Sequence, residues 1–219
     1  MKPDSQFYIT GYQHPPYRRD RDCNLNTRGG GKLVYVKNGM ITKRLKSFET
    51  PNAETICMEL NISGRKWFIV FAYRPESINR DLFFDEVNIC LGKAITKYDF
   101  VILAGDINVD MDLPKTDIKG FLKDLCDSFD LTNLINTKTC TKQNNGSSLD
   151  VFLTNHPHCF QHTCVIETGL SDCHKMIGSF LRSTFRRLPP KNIQYREYKK
   201  FDNEIFLREL AAIDFDTLF

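Results

Sequence analysis

Long apolar runs are missing from this sequence. No stretch approaches the roughly 18 residues needed to span a bilayer, and the opening "MKPDSQFYIT" lacks the apolar core of a secretion signal. The eight cysteines include no CxxC pair, and without a secretion signal they read as free thiols in a reducing compartment. A nuclear or cytoplasmic protein is therefore expected, neither secreted nor membrane-bound. Strong charge of one sign is also missing: 30 basic residues face 27 acidic ones, and a net +3 is too small to argue nucleic-acid binding by itself. Repeats and low-complexity tracts do not occur. What is there is 219 residues, 41% hydrophobic and 26% charged, an ordinary balance for one domain with a real core, or a domain with a tail.

Strand patterns dominate the first half. "FYI" (7–9) is short and gives way to the polar "YRRDRDCNLNTRGGG", after which "KLVYVK" (32–37) alternates with period two. The glycine triplet 29–31 fits a plain hairpin turn, or a bulge where backbone approaches something closely. "TICMELNI" (55–62) and "KWFIVFAYRP" (66–75), joined by "SGR", predict a hairpin whose second strand is buried on both faces. "DLFFDEVNICLGKAI" places Leu82, Phe83, Val87, Leu91 and Ile95 at helical spacing. "FVILAG" is a buried strand, and "IKGFLKDLCDSFDL" carries a second helical stripe of Ile118, Phe121, Leu122, Leu125 and Phe129. "SSLDVFLTN", "TCVIETG" and "KMIGSFL" follow as β-like runs. Strands interleaved with helices predict an α/β domain with at least six strands, mostly antiparallel.

Polar groups gather where the strands end. Tyr73 closes "IVFAYRP". Asp106 and Asn108 close "VILAGDINVD", and two residues apart on an extended chain would face one way. Asp150 interrupts the apolar "SSLDVFL". Burying a carboxylate there requires a partner such as histidine or backbone donors, whereas an exposed position on an alternating strand requires none. Ser171, Asp172 and His174 follow "VIETGL" and offer a metal ligand and a proton carrier or phosphate contact. Ends of strands on one rim are where α/β scaffolds build sites.

In this order, "YRP", "AGDINVD", "SSLDVFL" and "LSDCH" resemble the motif series of the endonuclease/exonuclease/phosphatase superfamily. More narrowly the chain resembles the endonuclease domain of non-LTR retrotransposons, in "DSQFYITGY", "GGGKLVYV", "ELNISGRKWFIVFAYRP" and the exit "YREYKKFDNEIF". The resemblance spans nearly the whole chain. It implies a deoxyribonuclease-I-like fold: a four-layered α/β/β/α sandwich of two mostly antiparallel sheets flanked by helices. It implies Mg²⁺, with Mn²⁺ as a substitute, and a DNA-nicking, phosphodiester-hydrolysing activity on duplex DNA. A reverse transcriptase region would follow in the parent protein. The resemblance makes Asp106 the general base, puts Asn108 and Asp172 with it at the metal and phosphate, and makes Tyr73 a phosphate contact. Asp150 orients the catalytic His174.

The resemblance also implies two strands ahead of "DSQFYITGY", bearing a metal-binding Asn and Glu, that this sequence does not contain. A domain lacking its first strands is expected to bind metal and turn over poorly. Cys173 separates Asp172 from His174, so His174 takes its place only if the loop bulges. Residues 1–182 are read as this domain, and 183–219, basic and with Pro189-Pro190, as a linker and partial helix leading toward a downstream region.

Alternatives stay open. The chain can be a catalytically dead remnant that binds nucleic acid or protein, or a small-molecule phosphatase. His156, His158, Cys159, His162 and Cys164 form either a zinc site or a plain loop. Arg18, Arg19, Arg21, Arg28 and Lys142 line a duplex or sit in a mixed-charge loop.

Overall fold

The computed structural model describes residues 4–21, 31–109, 117–141, 146–169, 175–182 and 201–213. In chain order its elements are β1 (Tyr17–Asp20), β2 (Gly31–Val34), β3 (Thr42–Arg44), β4 (Glu54–Ile62) and β5 (Arg65–Tyr73). Then come α1 (Arg80–Ile95), β6 (Phe100–Asp106), α2 (Asp117–Phe129), β7 (Thr132–Asn133) and β8 (Asp150–Thr154). The hairpin β9 (Phe160–Ile166) and β10 (Met176–Leu181) precedes α3 (Asn203–Ala211). Two compact units divide the chain, Met1–Leu188 and Pro189–Phe219.

Six strands form one sheet in the order β3-β4-β5-β6-β8-β7. Every pairing is antiparallel except β5 with β6, which run parallel because α1 carries the chain back between them. Ser63 (φ 52) and Gly64 (φ 83) make the tight β4–β5 turn, a conformation the "SG" pair supplies. One face of the sheet packs against the helices: Phe68, Val70, Val101, Leu103 and Leu153 meet Phe83, Val87 and Leu91 of α1. The other face carries Met58, Leu60, Trp67, Ile69, Phe100 and Ile102 and is covered by two separate hairpins, β1-β2 and β9-β10. This is the expected α/β arrangement, helices outside one β layer with a second β layer beyond it. An outer helical layer over the hairpins is not among the described residues.

Three local expectations are corrected. "FYI" is no strand: Asp4–Phe7 is a 3₁₀ turn. "YRRD", polar by composition, pairs with β2, because its arginines and aspartate bond laterally rather than pack. On α1, Leu82 and Ile95 are exposed, and the buried stripe is Phe83, Phe84, Val87, Cys90, Leu91 and Ala94. Asn79, whose side chain accepts from the Asp81 and Leu82 amides, starts the helix.

Two polar details seal the seam between α1 and the sheet. Cys57 and Cys90 sulfurs lie 3.7 Å apart and buried, and this contact together with burial pushes the Cys57 thiol up. Glu86 accepts from the Asn52 amide nitrogen at 3.0 Å, from Asn52 Nδ2 at 2.7 Å and from the Ala53 amide at 2.6 Å. Burial opposes its ionisation, but these donors outweigh burial and hold the carboxyl below its ordinary value. Glu86→Ala should cost about 2 kcal/mol at neutral pH, since two backbone donors lose their acceptor. The depressed acid contributes above the unfolded-state pKa and loses that contribution as pH falls through the folded one. Urea unfolding at pH 7 and pH 3 should therefore show the gap between wild type and variant narrowing in acid.

Candidate active site

A single row of residues crosses four strands at one end of the sheet. Glu54 on β4 stands opposite Tyr73 on β5, Tyr73 opposite Asp106 on β6, and Asp106 opposite Asp150 on β8. Residues in register on neighbouring strands project to the same face. A phenol and three carboxyl groups thus share one rim. The next aligned row on this face is apolar: Ile56, Phe71, Ala104 and Phe152. Asp106 and Asp150 are half-buried carboxyl groups directly across a strand pair.

Asn108 reaches the rim by a different route from the one its spacing suggested. The strand ends at Asp106, and Asn108 adopts a left-handed backbone (φ 49), so period-two alternation does not carry its side chain. Instead the chain folds back on itself. The Asn108 amide donates to Asp106 Oδ1 at 2.8 Å, and Asn108 Nδ2 donates to the Arg74 carbonyl at 2.7 Å. Asparagine tolerates this conformation better than most residues.

Arg74 holds that turn in place. Its backbone amide donates to the Asp106 carbonyl (3.0 Å), Nε to the Ile107 carbonyl (2.8 Å), Nη2 to the Asn108 carbonyl (2.6 Å) and Nη1 to the Ile78 carbonyl (3.0 Å). The side chain is buried, so its planar fork replaces water for three carbonyls at once. Gly105 permits the approach from the other side. Its φ is +145, and a Cβ there would sit 1.8 Å from the Ala72 carbonyl oxygen.

A cleft of about 1070 Å³ opens beside the row, lined by residues 31–35 and by Phe71–Tyr73, Ala104–Asp106, Met176, Ile177 and Arg21. Arg21 Nε donates to Glu54 Oε1 at 2.5 Å, and its guanidinium lies 5.4 Å from the Tyr73 ring centre. Lys32 Nζ donates to the main-chain carbonyls of Glu54 and Phe71 and lies 5.8 Å from the same ring. Burial pushes Lys32 down to about 7, against the attraction of Glu54 and Asp106.

Other expected groups fall elsewhere. Ser171, Asp172, Cys173 and His174 lie outside the described residues, as do Arg28 and Lys142. Arg18 pairs with Asp4 and Asp20, and Arg19 donates to the Thr50, Pro51 and Thr55 carbonyls, so both brace the β1 strand. No three His, Cys, Asp or Glu side chains converge as a metal cluster among the described residues. His156 lies against Phe100, with ring centres 4.2 Å apart, and His162 stacks on Phe180 at 4.3 Å; the "HPHCFQHTC" segment is not a plain loop but a 3₁₀ turn running into β9.

No family model and no curated protein matches this sequence. Solved structures do. The endonuclease domain of TRAS1, a telomere-specific non-LTR retrotransposon, matches at TM-score 0.58 and 13% identity over 71% of this chain and 77% of that one. The catalytic domain of Xenopus laevis APE2 matches at 0.52 and 14% over 82% and 80%. The 3'-5' exonuclease NExo of Neisseria meningitidis matches at 0.51 and 13% over 82% and 83%. The fold is that of the endonuclease/exonuclease/phosphatase family.

On this endonuclease/exonuclease/phosphatase fold, Tyr73, Asp106, Asn108 and Asp150 are brought to one rim. Arg74, Lys32 and Glu54 are the rim residues that reading the sequence did not single out. Arg74 stood inside "YRP" beside the tyrosine, and Lys32 opened an apparently ordinary strand.

Two outcomes are expected. Arg74→Ala should cost about 3 kcal/mol or more by stranding buried carbonyls, and Arg74→Lys should recover little, since one ammonium cannot match the fork; thermal unfolding measures both. Between pH about 7 and its ordinary value of 10.5, unfolded Lys32 carries a proton that the folded residue lacks. Stability should therefore rise with pH over that window. Urea unfolding at pH 7 and 9 should show wild type gaining relative to Lys32→Met.

Proposed function

We propose that this protein hydrolyses DNA phosphodiesters with the help of a divalent metal ion, nicking one strand of a duplex. The observation that carries the reading is the aligned rim of Tyr73, Asp106 and Asp150, with Asn108 folded onto Asp106 beside an open cleft. The matched folds support it. TRAS1 is named as an endonuclease, and NExo, in a second structure, holds a product DNA hairpin.

The donor set fits a hard cation. Asp106 and the carboxamide oxygen of Asn108 are hard oxygen donors, and Mg²⁺ takes one or two carboxylates while keeping several waters. Asp106 and Asn108, with Asp172 from outside the described residues, would hold Mg²⁺ or Mn²⁺, which would supply positive charge to the non-bridging phosphate oxygens. Asp106 then takes the proton of the attacking water. Asn108, locked by Arg74, keeps that carboxylate and the phosphate in line, and the Tyr73 hydroxyl donates to the phosphate. His174, outside the described residues, would be held in one tautomer by Asp150, and its charge would steady the leaving oxygen. In this reading the nuclease derives from a retrotransposon and is paired with a reverse transcriptase region in its parent protein.

A low turnover is part of this proposal. Incubation with supercoiled plasmid and Mg²⁺ should yield slow relaxation to open circles, stopped by EDTA. Asp106→Asn should lower the rate by about 100-fold or more. Plasmid retention without any nicking, equal in wild type and Asp106→Asn, would overturn the hydrolytic reading.

A further inference from the structure

The cleft has β edges on two of its sides. β2 pairs only with β1, and β10 only with β9, among the described residues. Every residue from Gly31 to Tyr35 lines the cleft, irrespective of which way its side chain points, so β2 presents its edge there rather than a face. The start of β10, Met176 and Ile177, lines the same cleft. Two-stranded ribbons are marginal structures, and an unpaired edge is a row of main-chain donors and acceptors seeking a strand.

The floor has the same character. In the apolar row, Ile56 at the β4 end is buried, but Phe71, Ala104 and Phe152 are half-buried, whereas Ile69 and Ile102 of the row below are 7% and 4% exposed. A sheet face normally covered is left open at that level. Lys32 folds into this space and donates to the Phe71 carbonyl at 3.2 Å as well as to that of Glu54. Its Nζ meets main-chain carbonyls there, and a carboxylate laid beside it would favour its charged form.

We propose that the cleft binds an extended polypeptide segment, which adds as a β-strand to the free edge of β2, lays alternate apolar side chains on Phe71 and Ala104, and sets an acidic side chain against Lys32. Added strands take their affinity from main-chain hydrogen bonds and their selectivity from alternate side chains. The segment would join the separate hairpins into a continuous second layer and cover the half-open row. Its presence beside Asp106 would also narrow the mouth of the proposed site. The inference stands on the edges and the floor and does not depend on hydrolysis.

The test uses the full chain and a fluorescein-labelled synthetic nonapeptide of alternating valine and threonine that ends in glutamate. Binding should saturate at one peptide per chain by fluorescence anisotropy, and amide exchange should slow across residues 31–34. A version with proline at the alternate ladder positions should bind at least 10-fold more weakly, because it cannot donate. Lys32→Glu should weaken the glutamate peptide and restore affinity for a peptide ending in lysine. That swap stays informative even if a disruptive change such as Leu33→Pro simply unfolds the protein. Equal binding of the proline peptide, no protection at β2, or a dimer of the chain that protects β2 without peptide would each overturn the proposal.

Discussion

The parallel ladder between β5 and β6 is the constraint on which the rest of the site depends. It sets Tyr73 beside Asp106, and the antiparallel ladders on either side then bring Glu54 and Asp150 into the same row. A one-residue slip would send every member to the helical face, where Phe68, Val101 and Leu153 now pack. The register is held by burial on both faces: tight packing against α1 on one side and the Trp67–Phe100 contact on the other, with ring centres 4.7 Å apart. The chemistry at the rim is thus fixed by apolar side chains that never touch it.

Beyond the end of that ladder, hydrogen bonds take over from packing. Ile107 donates to the Leu149 carbonyl at 3.0 Å and is itself buried, which ties the turn after β6 to the chain entering β8. Arg74 supplies the acceptorless end of the arrangement, a donor for each carbonyl that the left-handed turn at Asn108 leaves exposed. A turn held this way fixes where the Asp106 carboxyl and the Asn108 carboxamide sit relative to one another.

Much of this was legible in the sequence, for identifiable reasons. Continuous apolar runs located β5 and β6, since strands buried on both faces have no competing pattern, and the "SGR" turn placed β4 beside β5. The motif order located Tyr73, Asp106, Asn108 and Asp150. The short edge strands were not legible. "YRRD" and "TKR" carry charges whose stems and head groups brace neighbouring backbone, so composition hides them. On α1 the expected stripe shares Phe83, Val87 and Leu91 with the buried one, but Cys90 and Ala94, small and weakly apolar, complete that face in place of the exposed Leu82 and Ile95. Lys32 could not have been picked out, because its depressed basicity comes from a cleft formed by segments about 40 and 70 residues away.

The pair Cys57 and Cys90 bridges the boundary between sheet and helix layer at 0% and 1% exposure. A thiol so placed, and so disinclined to ionise, stays invisible to alkylating reagents while the two layers remain joined. Its labelling rate is therefore a clock for separation of helix from sheet, wound into the native chain and requiring no engineered probe.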